Sequence, residues 1–523
     1  MKKRTLRVRR FLKYRFPILL LLFLQFLLLF LLWLHSCRWF WLRAGLHLLG
    51  IVIAFRIFCN VRSSAYGKPL IFLILLFPEL GGFWYLVLHP RRLTAEKALA
   101  CRFHRAAKKV PETSRYSPFS ADISFPASVL SAEESLENAV TSCPQAGRLM
   151  TFLQKTAGYP VFPEEATGYF RNASAMQKSL LEDLQNARQS VFLEFFILEE
   201  GVFWNSVKKV LIERAAAGVR IDLIYDDFGC FLSFSKQEAT LLQSAGIHCV
   251  PFRPFHPRLS FLQNSRDHRK LVVIDNRIAY TGGINLTDEY LGISERFCDW
   301  KDCAVRVCGS AAESFAEIFR SMWRRLTAES LSQSPHRNSN VSPSWIQPFA
   351  SSPSEHIAVW EEVFFHLAEH AKLRLWIATP YLTAGDGIFA TLRRAAECGV
   401  DVRLLLPGEA DKPLVQFTSR SYYAELVRSG IQVYEYGSGF LHQKLFLCDG
   451  EIAVVGSANL DFRSLYFQEE CGVCLYHSAE IACMEEDFLH SLSVSRQISK
   501  EESSFPILQR GFSRLCRLIA PLM

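Results

Sequence analysis

Positive charge is scarce over most of this 523-residue chain, because the basic residues are concentrated at one end. Residues 1–109 carry 20 Lys and Arg against two acids, Glu79 and Glu96. Of the totals of 59 basic and 51 acidic residues, 39 and 49 remain for positions 110–523, a balance of −10. Nucleic-acid enzymes usually surround their site with basic surface. The composition therefore disfavours a nuclease, and we expect no nucleic-acid partner.

The sequence also lacks a cysteine framework. Its 15 cysteines are an odd number without disulfide spacing. The only CxxC, Cys471-Gly-Val-Cys474, has no second pair and no nearby pair of histidines to complete a zinc site. We interpret it as alternating packing positions in a β-strand. Unpaired thiols are typical of a domain that faces a reducing compartment.

Three apolar segments follow a basic tail, residues 1–15, that holds eight Lys and Arg. Phe16–Leu34 has roughly the 20 residues that a bilayer requires. The second segment, Trp39–Phe58, is interrupted by two arginines and a histidine, and the third, Pro69–Leu88, is long enough to cross. We predict a transmembrane region over residues 16–90, with two to three spans.

Both flanks of this region are positively charged, so both are expected on the cytoplasmic side. That arrangement requires an even number of spans, and we expect that the interrupted second segment does not fully cross. The chain is then a multi-pass protein of the cell membrane, with its catalytic part on the cytoplasmic face.

The rest of the chain has an α/β pattern that occurs twice. Ser190–Leu198 and Arg374–Thr379 resemble buried strands, and each precedes an amphipathic helix. Gly218 and Gly399 then stand where that helix ends and the next strand begins. We predict a first lobe over 145–328 and a second over 357–500. The other predicted segments are a connecting segment, a Pro/Ser-rich linker and an amphipathic basic C-terminal tail: 91–144, 329–356 and 501–523.

One short motif also occurs twice. His268-Arg-Lys270-Leu-Val-Val-Ile-Asp275 and His442-Gln-Lys444-Leu-Phe-Leu-Cys-Asp449 have the same internal spacing. In each copy a turn of small residues leads to an asparagine 17 residues after the histidine, Asn285 or Asn459. A single His-x-Lys-x4-Asp would be weak evidence, but two copies with one spacing indicate one active site built from two related halves.

The residue types suit a phosphodiester. Lysine ammoniums and asparagine amides donate to phosphate oxygens, one imidazole can attack phosphorus, and the other can move a proton to and from the alcohols. No carboxylate cluster of the two-metal kind adjoins the motifs, and we expect no cofactor and no metal. We predict six catalytic residues: His268, Lys270, Asp275, His442, Lys444 and Asp449. For the two aspartates a purely structural role in a hairpin turn is the alternative.

Four further positions are predicted to bind substrate: Gly283, Asn285, Ser457 and Asn459. The histidines also need a partner on the other ring nitrogen. Asp302 and Glu470 are candidates for this supporting role, since each opens a strand at a matching place after its motif. An exposed strand end is the alternative for both acids.

The paired motifs are similar to the doubled HKD signature of the phospholipase D (PLD) superfamily. Other phrases resemble bacterial cardiolipin synthases: Leu223-Ile-Tyr-Asp-Asp227, Thr379-Pro-Tyr381, Gly439-Phe-Leu-His442 and Asn459-Leu-Asp-Phe-Arg463. The resemblance implies two pseudo-symmetric PLD-like α-β-α lobes that share one active site, behind N-terminal transmembrane helices. It also implies transfer of a phosphatidyl group between two phosphatidylglycerols, giving cardiolipin and glycerol through a phosphohistidine. By analogy His268 is the nucleophile and His442 the acid and base.

Two alternatives remain. A membrane-bound phospholipase D or phosphodiesterase would use water as acceptor, which depends on desolvation of the site. A non-catalytic membrane scaffold is the other, although both copies keep His and Lys. The C-terminal Phe512-Ser-Arg514-Leu-Cys-Arg517-Leu-Ile519 is basic and amphipathic, suited either to pack on the domain or to contact a membrane surface.

Overall fold

The structure is a computed structural model. It describes residues 40–59, 132–254, 265–293, 299–331, 342–355 and 357–522, with single positions between 23 and 34 and between 71 and 75. The chain forms two compact units, the larger of which comprises Pro111–Pro254 and Arg266–Ala520.

In the N-terminal unit the structure describes one long helix, α1 (Phe40–Phe58). It matches the second of the predicted apolar segments. Ile53, Ala54 and Ile57 on one side of it form a small buried cluster with Ile74. None of the helices among the described residues combines the length and the apolarity needed to span a bilayer. The predicted spans 16–34 and 69–88 lie largely outside the described residues.

The larger unit alternates helices and strands along the chain. Its helices are α2 (Ala132–Ser142), α3 (Gly147–Thr151), α4 (Ala173–Gln185), α5 (Val202–Ala216), α6 (Lys236–Ser244), α7 (Ser310–Thr327), α8 (Val359–His370), α9 (Asp386–Glu397), α10 (Pro413–Arg420), α11 (Tyr423–Arg428), α12 (Phe462–Tyr466), α13 (Glu480–Ser493) and α14 (Ile507–Ile519). Its strands are β1 (Phe162–Pro163), β2 (Thr167–Phe170), β3 (Ser190–Phe195), β4 (Arg220–Asp226), β5 (His248–Phe252), β6 (Arg266–Asp267), β7 (Lys270–Ile274), β8 (Ile278–Gly282), β9 (Trp300–Lys301), β10 (Ala304–Cys308), β11 (Trp345–Ser351), β12 (Arg374–Ala378), β13 (Leu382–Thr383), β14 (Asp401–Pro407), β15 (Gln432–Tyr436), β16 (Phe440–Leu441), β17 (Leu445–Cys448), β18 (Ile452–Gly456), β19 (Leu460–Asp461), β20 (Gln468–Tyr476) and β21 (Ser495–Gln497).

Two sheets with the same internal order form the two lobes. The first runs β2-β10-β8-β7-β3-β4-β5, and the second contains β11-β20-β18-β17-β12-β14-β15 with β1 and β21 at its ends. In each sheet two parallel pairs, β3–β4–β5 or β12–β14–β15, adjoin the antiparallel hairpin that carries the motif. The predicted α/β repeat is confirmed.

The glycines between helix and strand behave as predicted. Gly218 and Gly399 have φ of 88° and 94°, in the left-handed region that L side chains adopt only at a cost, and each directly follows a helix end. Their positive φ lets the chain reverse into β4 and β14, so that each helix packs back on its own sheet.

The inner faces of both sheets share one apolar core. Along β7, Leu271 and Val273 belong to this shared core, whereas Val272 and Ile274 belong to a separate core within the first lobe. This split follows from the alternation of side chains along a strand. Because the strand is covered on both faces, its sequence is a continuous apolar run.

Two strands of the second sheet lie outside the predicted second lobe. The predicted linker, 329–356, contains β11, whose seven residues are all buried and pair with β20. β1, which lies inside the predicted first lobe, pairs with β11 and so extends the second sheet. β11 was not predicted because the residues around it are rich in Pro and Ser and the strand itself contains Pro348. The C-terminal tail, 501–523, contains the helix α14.

Candidate active site

Two short parallel strand pairs join the lobes and lead directly into the site. β6 pairs with the start of β20, Asp267 opposite Glu469, and β9 pairs with β16, Lys301 opposite Leu441. The residues that directly follow these four positions are His268, Glu470, Asp302 and His442. The pairing therefore sets each histidine beside an acid of the other lobe.

The first of these couples is His268 with Glu470. The His268 backbone N–H donates to the Glu469 carbonyl at 2.9 Å, which keeps the two segments in register. The imidazole Nδ1 lies 3.0 and 3.1 Å from the two carboxylate oxygens of Glu470. Nδ1–H donation to a carboxylate fixes the tautomer and presents Nε2 as the reactive nitrogen.

The second couple mirrors the first. The His442 backbone N–H donates to the Lys301 carbonyl at 2.8 Å, and Nδ1 of the ring lies 2.7 Å from Oδ2 of Asp302. The proposed supporting acids thus contact the histidines, and all four side chains are buried. Sequence reasoning named both acids, but it could not tell that each serves the histidine of the opposite lobe.

Each motif lysine contacts the backbone of the histidine in the same motif. The ammoniums of Lys270 and Lys444 donate to the backbone carbonyls of His268 and His442, respectively. Lys444 also lies 3.9 Å from Asp302. Two ammoniums and two carboxylates therefore lie in one buried site, and their charges cancel until an anionic substrate binds.

Burial shapes the proton affinities of the site. It lowers the pKa of His268 to about 4 and the pKa of His442 well below its ordinary value, with the nearby lysines adding to the effect. His268 is among the groups that lower the pKa of His442. Both imidazoles are neutral at pH 7 in the free site, as an attacking nitrogen must be.

The lysines and acids are shifted as well. Burial lowers the pKa of Lys270 to about 7 and that of Lys444 to about 8. Burial also raises the pKa of Asp302 to about 6. Burial alone would raise the pKa of Glu470, but the interaction and hydrogen bond with His268, together with the charge of Lys270, lower that pKa below its ordinary value. A bound phosphate anion would raise the pKa of both lysines again and so favour their charged forms.

The two asparagines predicted to bind substrate differ in their partners. Asn285 accepts from the Ile197 N–H at 3.1 Å and donates to the Tyr290 hydroxyl at 2.9 Å. Asn459 donates to Asp461 at 3.3 Å, and its buried Oδ1 has no hydrogen-bond partner within the described part of the chain. Substrate contact by either asparagine stays a prediction.

Gly283 and Ser457 occupy equivalent places in the two motifs, and both lie against the supporting acids. A Cβ at position 283 would be 2.2 Å from Oδ1 of Asp302, so only glycine leaves room for that carboxylate. The Ser457 hydroxyl donates to Glu470 and accepts from the Cys471 N–H at 3.0 Å. In the structure these two positions seat the acids, and a direct substrate contact stays a prediction.

Asp275 and Asp449 lie at the far end of their strands, where their contacts favour the structural alternative, and a catalytic role for them stays a prediction. Asp275 accepts from the backbone N–H groups of residues 188, 189 and 190 at 2.7–2.9 Å, and Asp449 accepts from those of residues 372, 373 and 374 at 2.8 Å. Each aspartate lies seven positions after its histidine along extended chain, roughly 20 Å away. They fix the hairpin turn against the neighbouring strand, which was the alternative role.

We expect Asp275→Asn and Asp449→Asn each to destabilise the fold by about 1–3 kcal/mol, because an amide replaces a carboxylate that accepts three N–H groups. Turnover per folded molecule should stay within about threefold of the parent. Urea unfolding and initial rates measure the two quantities. Glu397→Gln, an exposed acid on α9, is the matched control. A thousandfold loss of turnover in the folded Asp275→Asn protein would support the catalytic role instead.

Sequence reasoning missed the aromatic side chains around the imidazoles. The Phe196 ring lies 4.9 Å from the ring of His268, and those of Trp300 and Phe440 lie 5.7 and 6.0 Å from the ring of His442. Trp300 and Phe440 stand two residues before Asp302 and His442, so strand alternation could have placed them on the site face. Phe196 has no comparable spacing from a predicted site residue, so its place beside His268 could not be predicted in this way.

Tyr290 was missed as well. Its hydroxyl lies 3.2 Å from Nδ1 of His442, beside the Asp302 carboxylate. With the aromatic rings it gives the site low-polarity walls in which charge–charge interactions are strong.

Comparison with known proteins agrees with this site. Residues 180–323 and 364–492 match the family model described as cardiolipin synthase, PLD-like domain. A cardiolipin synthase of Geobacillus kaustophilus is 33% identical over 388 residues, 73% of this chain and 77% of that protein. A cardiolipin synthase of Alkalihalophilus pseudofirmus is 33% identical over 72% of this chain and 76% of its own length.

Among solved structures, a phosphatidylserine synthase of Haemophilus influenzae has the same fold. The TM-score is 0.55 at 13% sequence identity, over 71% of this chain and 98% of that one. The two sheets and the paired His–Lys motifs define a phosphatidyltransferase with two PLD-like lobes. The chain belongs to the cardiolipin synthase family of these enzymes.

Proposed function

We propose that this enzyme transfers a phosphatidyl group from one phosphatidylglycerol to another, releasing glycerol and forming cardiolipin. The observation that carries the proposal is the reciprocal pairing of His268 with Glu470 and His442 with Asp302 across the lobes. It provides two oriented imidazoles, one for attack and one for proton transfer.

In the first step Nε2 of His268 attacks the phosphorus, a P–N bond forms, and the P–O bond to the glycerol headgroup breaks. The phosphodiester anion and the Asp302 carboxylate stabilise a proton that His442 takes up when substrate binds, and His442 gives that proton to the departing glycerol oxygen. Lys270 and Lys444 stabilise the charge on the non-bridging oxygens.

In the second step the terminal hydroxyl of another phosphatidylglycerol attacks the same phosphorus. His442, now neutral, removes the hydroxyl proton, the P–N bond breaks, and cardiolipin leaves. His268 is neutral again and His442 carries the proton needed for the next cycle. No step consumes a cofactor, and the reaction is reversible because each step exchanges one phosphoester for another bond of similar energy.

The test uses the full chain in detergent micelles with phosphatidylglycerol as the only lipid. Cardiolipin and free glycerol should form in equal amounts. Phosphatidic acid with no cardiolipin would identify the enzyme as a hydrolase, the alternative function. The aromatic and apolar walls of the site favour the transferase, since they limit the access of water.

A plot of kcat/KM against pH should be bell-shaped, with a narrow maximum. Loss of the Lys270 charge weakens binding of an anionic phosphate, so kcat/KM should fall as the pH rises through about 7. Protonation of Asp302 removes the partner of His442, so kcat/KM should also fall below about pH 6. Measured from pH 5 to 9, a flat profile would contradict these assignments, and Asp275→Asn should leave the profile unchanged.

We also propose that the enzyme is a multi-pass protein of the cell membrane whose active site faces the cytoplasm. The apolar segments within residues 16–90 and the positive charge on both sides of them support this location. Protease protection in oriented membrane vesicles tests it. Cleavage after residue 110 only in vesicles that expose the cytoplasmic face is the expected result.

A further inference from the structure

Helix α14 exposes two large apolar side chains, those of Phe512 and Leu515. Ser513 and Cys516 face inward and are buried, at 6% and 1% exposure, as is Ala520 directly after the helix, at 2%. Phe512 and Leu515 are 53% and 42% exposed. A helix that merely covers a core has the reverse arrangement, with its large apolar residues inside.

The same helix has a one-sided charge. Residues 507–519 contain three arginines and no acid. Arg517 is tied to the domain, since it donates to Glu425 at 3.0 Å. Arg510 and Arg514 are exposed beside the apolar face. Arginines beside an outward apolar face are typical of helices that lie in the boundary between lipid headgroups and acyl chains.

The two acids that precede the helix in the sequence do not cancel the charge of Arg510 and Arg514. Glu502 pairs with Arg496 at 2.6 Å, and Glu501 precedes the helix by more than a turn. The exposed side of α14 is thus complementary to a surface that is apolar inside and negatively charged at its rim.

Helix α10 connects this face with the active site. The ring of Phe417 on α10 lies 5.4 Å from the ring of Phe512, and Leu414, one turn earlier on α10, is 45% exposed. At the start of α10, the Lys412 ammonium donates to the hydroxyl of Tyr381 at 3.1 Å, and Lys412 is among the cations that lower the pKa of His442. A surface that contacts α14 is therefore only one short helix away from the reacting groups.

A cavity occupies the space between α10 and the second motif. Tyr381, Asp411, Gln416 and Phe440 line it, and Phe440 directly precedes the pair Leu441–His442. The cavity is small, about 10 Å³, so it is a gap between α10 and the site and not a passage for a lipid.

We propose that α14 and the exposed part of α10 rest on an anionic lipid surface, with Phe512, Leu515 and Leu414 among the acyl chains and Arg510 and Arg514 at lipid phosphates. This docking surface is separate from the binding of substrate in the active site. Only one part of the proposal rests on the proposed function, namely that the same lipid surface also contains the substrate.

The experiment places a photo-reactive benzoylphenylalanine at position 515 of the full chain. The protein is reconstituted in vesicles of phosphatidylglycerol, or of phosphatidylcholine alone, that contain a tritiated lipid, and is then illuminated. A matched protein carries the same group in place of Leu489, which is 44% exposed on α13. Thermal unfolding confirms that both variants are folded.

Tritium should be attached to the protein through position 515 and not through position 489, with more label in phosphatidylglycerol than in phosphatidylcholine. Arg510→Gln with Arg514→Gln should lower the label by about three- to tenfold in phosphatidylglycerol, since each arginine strengthens binding to an anionic surface. The pair Arg393→Gln and Arg394→Gln, exposed on α9, should leave it unchanged.

Three results would overturn the proposal: equal labelling at 515 and 489, a cross-linked dimer showing that a second copy covers α14, and a cross-link within one chain to residues 1–110. The labelling does not require turnover. It should persist in His442→Ala, so a failed docking surface and a failed enzymatic assignment are separately visible.

Discussion

Replacing either histidine of the paired motifs should abolish the transfer of phosphatidyl groups. We expect His268→Ala and His442→Ala each to lower kcat by at least about 10⁴-fold, because nucleophile and proton carrier act as one unit and the loss of one removes most of the catalysis. Cardiolipin formation from phosphatidylglycerol is the measurement. His490→Ala, an exposed histidine on α13, is the control and should keep full activity.

The two variants should fail at different steps, and a substrate with a good leaving group separates them. A phosphatidyl ester of p-nitrophenol needs no proton on its leaving oxygen. His442→Ala should therefore still release one equivalent of nitrophenolate and accumulate a phosphatidyl-enzyme, whereas His268→Ala should release none. The opposite pattern would reverse the two roles, and kcat within tenfold of the parent in either variant would refute a shared site.

The second large effect concerns the acids. Glu470→Gln and Asp302→Asn should each lower kcat by about 10²–10⁴-fold, since an amide no longer fixes the imidazole tautomer or stabilises its protonated form. Thermal unfolding establishes that the variants fold, which matters because both carboxylates are buried. Glu397→Gln is again the control.

The crossed arrangement gives these acid variants a specific signature. Glu470→Gln should behave like a weakened His268→Ala, with a slow burst of nitrophenolate, although Glu470 and His268 are 202 residues apart. Asp302→Asn should keep a fast burst and slow the later transfer, as His442→Ala does. If each acid variant instead resembled loss of the histidine in its own lobe, the pairing across the lobes would be refuted.

Periodicity and spacing sufficed for much of the fold. The continuous apolar runs after His268 and His442 are strands, and the two residues that follow each, Asp275-Asn276 and Asp449-Gly450, form turns with φ between 51° and 75°. These features are local, and they follow from the preferences of the residues themselves.

The pairing between the lobes could not be predicted in this way. β6 and β9 are two residues long, too short for any periodic pattern, and their partners lie more than a hundred residues away. β11 was missed for a related reason. Its burial depends on β1 and β20 on either side, and not on the Pro/Ser-rich sequence around it.

The reciprocal strand pairs have a consequence for dividing the polypeptide. A fragment that ends before residue 329 would contain an imidazole without its carboxylate and a carboxylate without its imidazole, and the remainder would have the complementary deficit. Neither fragment could orient a reactive nitrogen by itself. Expressed together, however, the fragments would each supply what the other lacks, and recovered cardiolipin synthesis would report their reassembly.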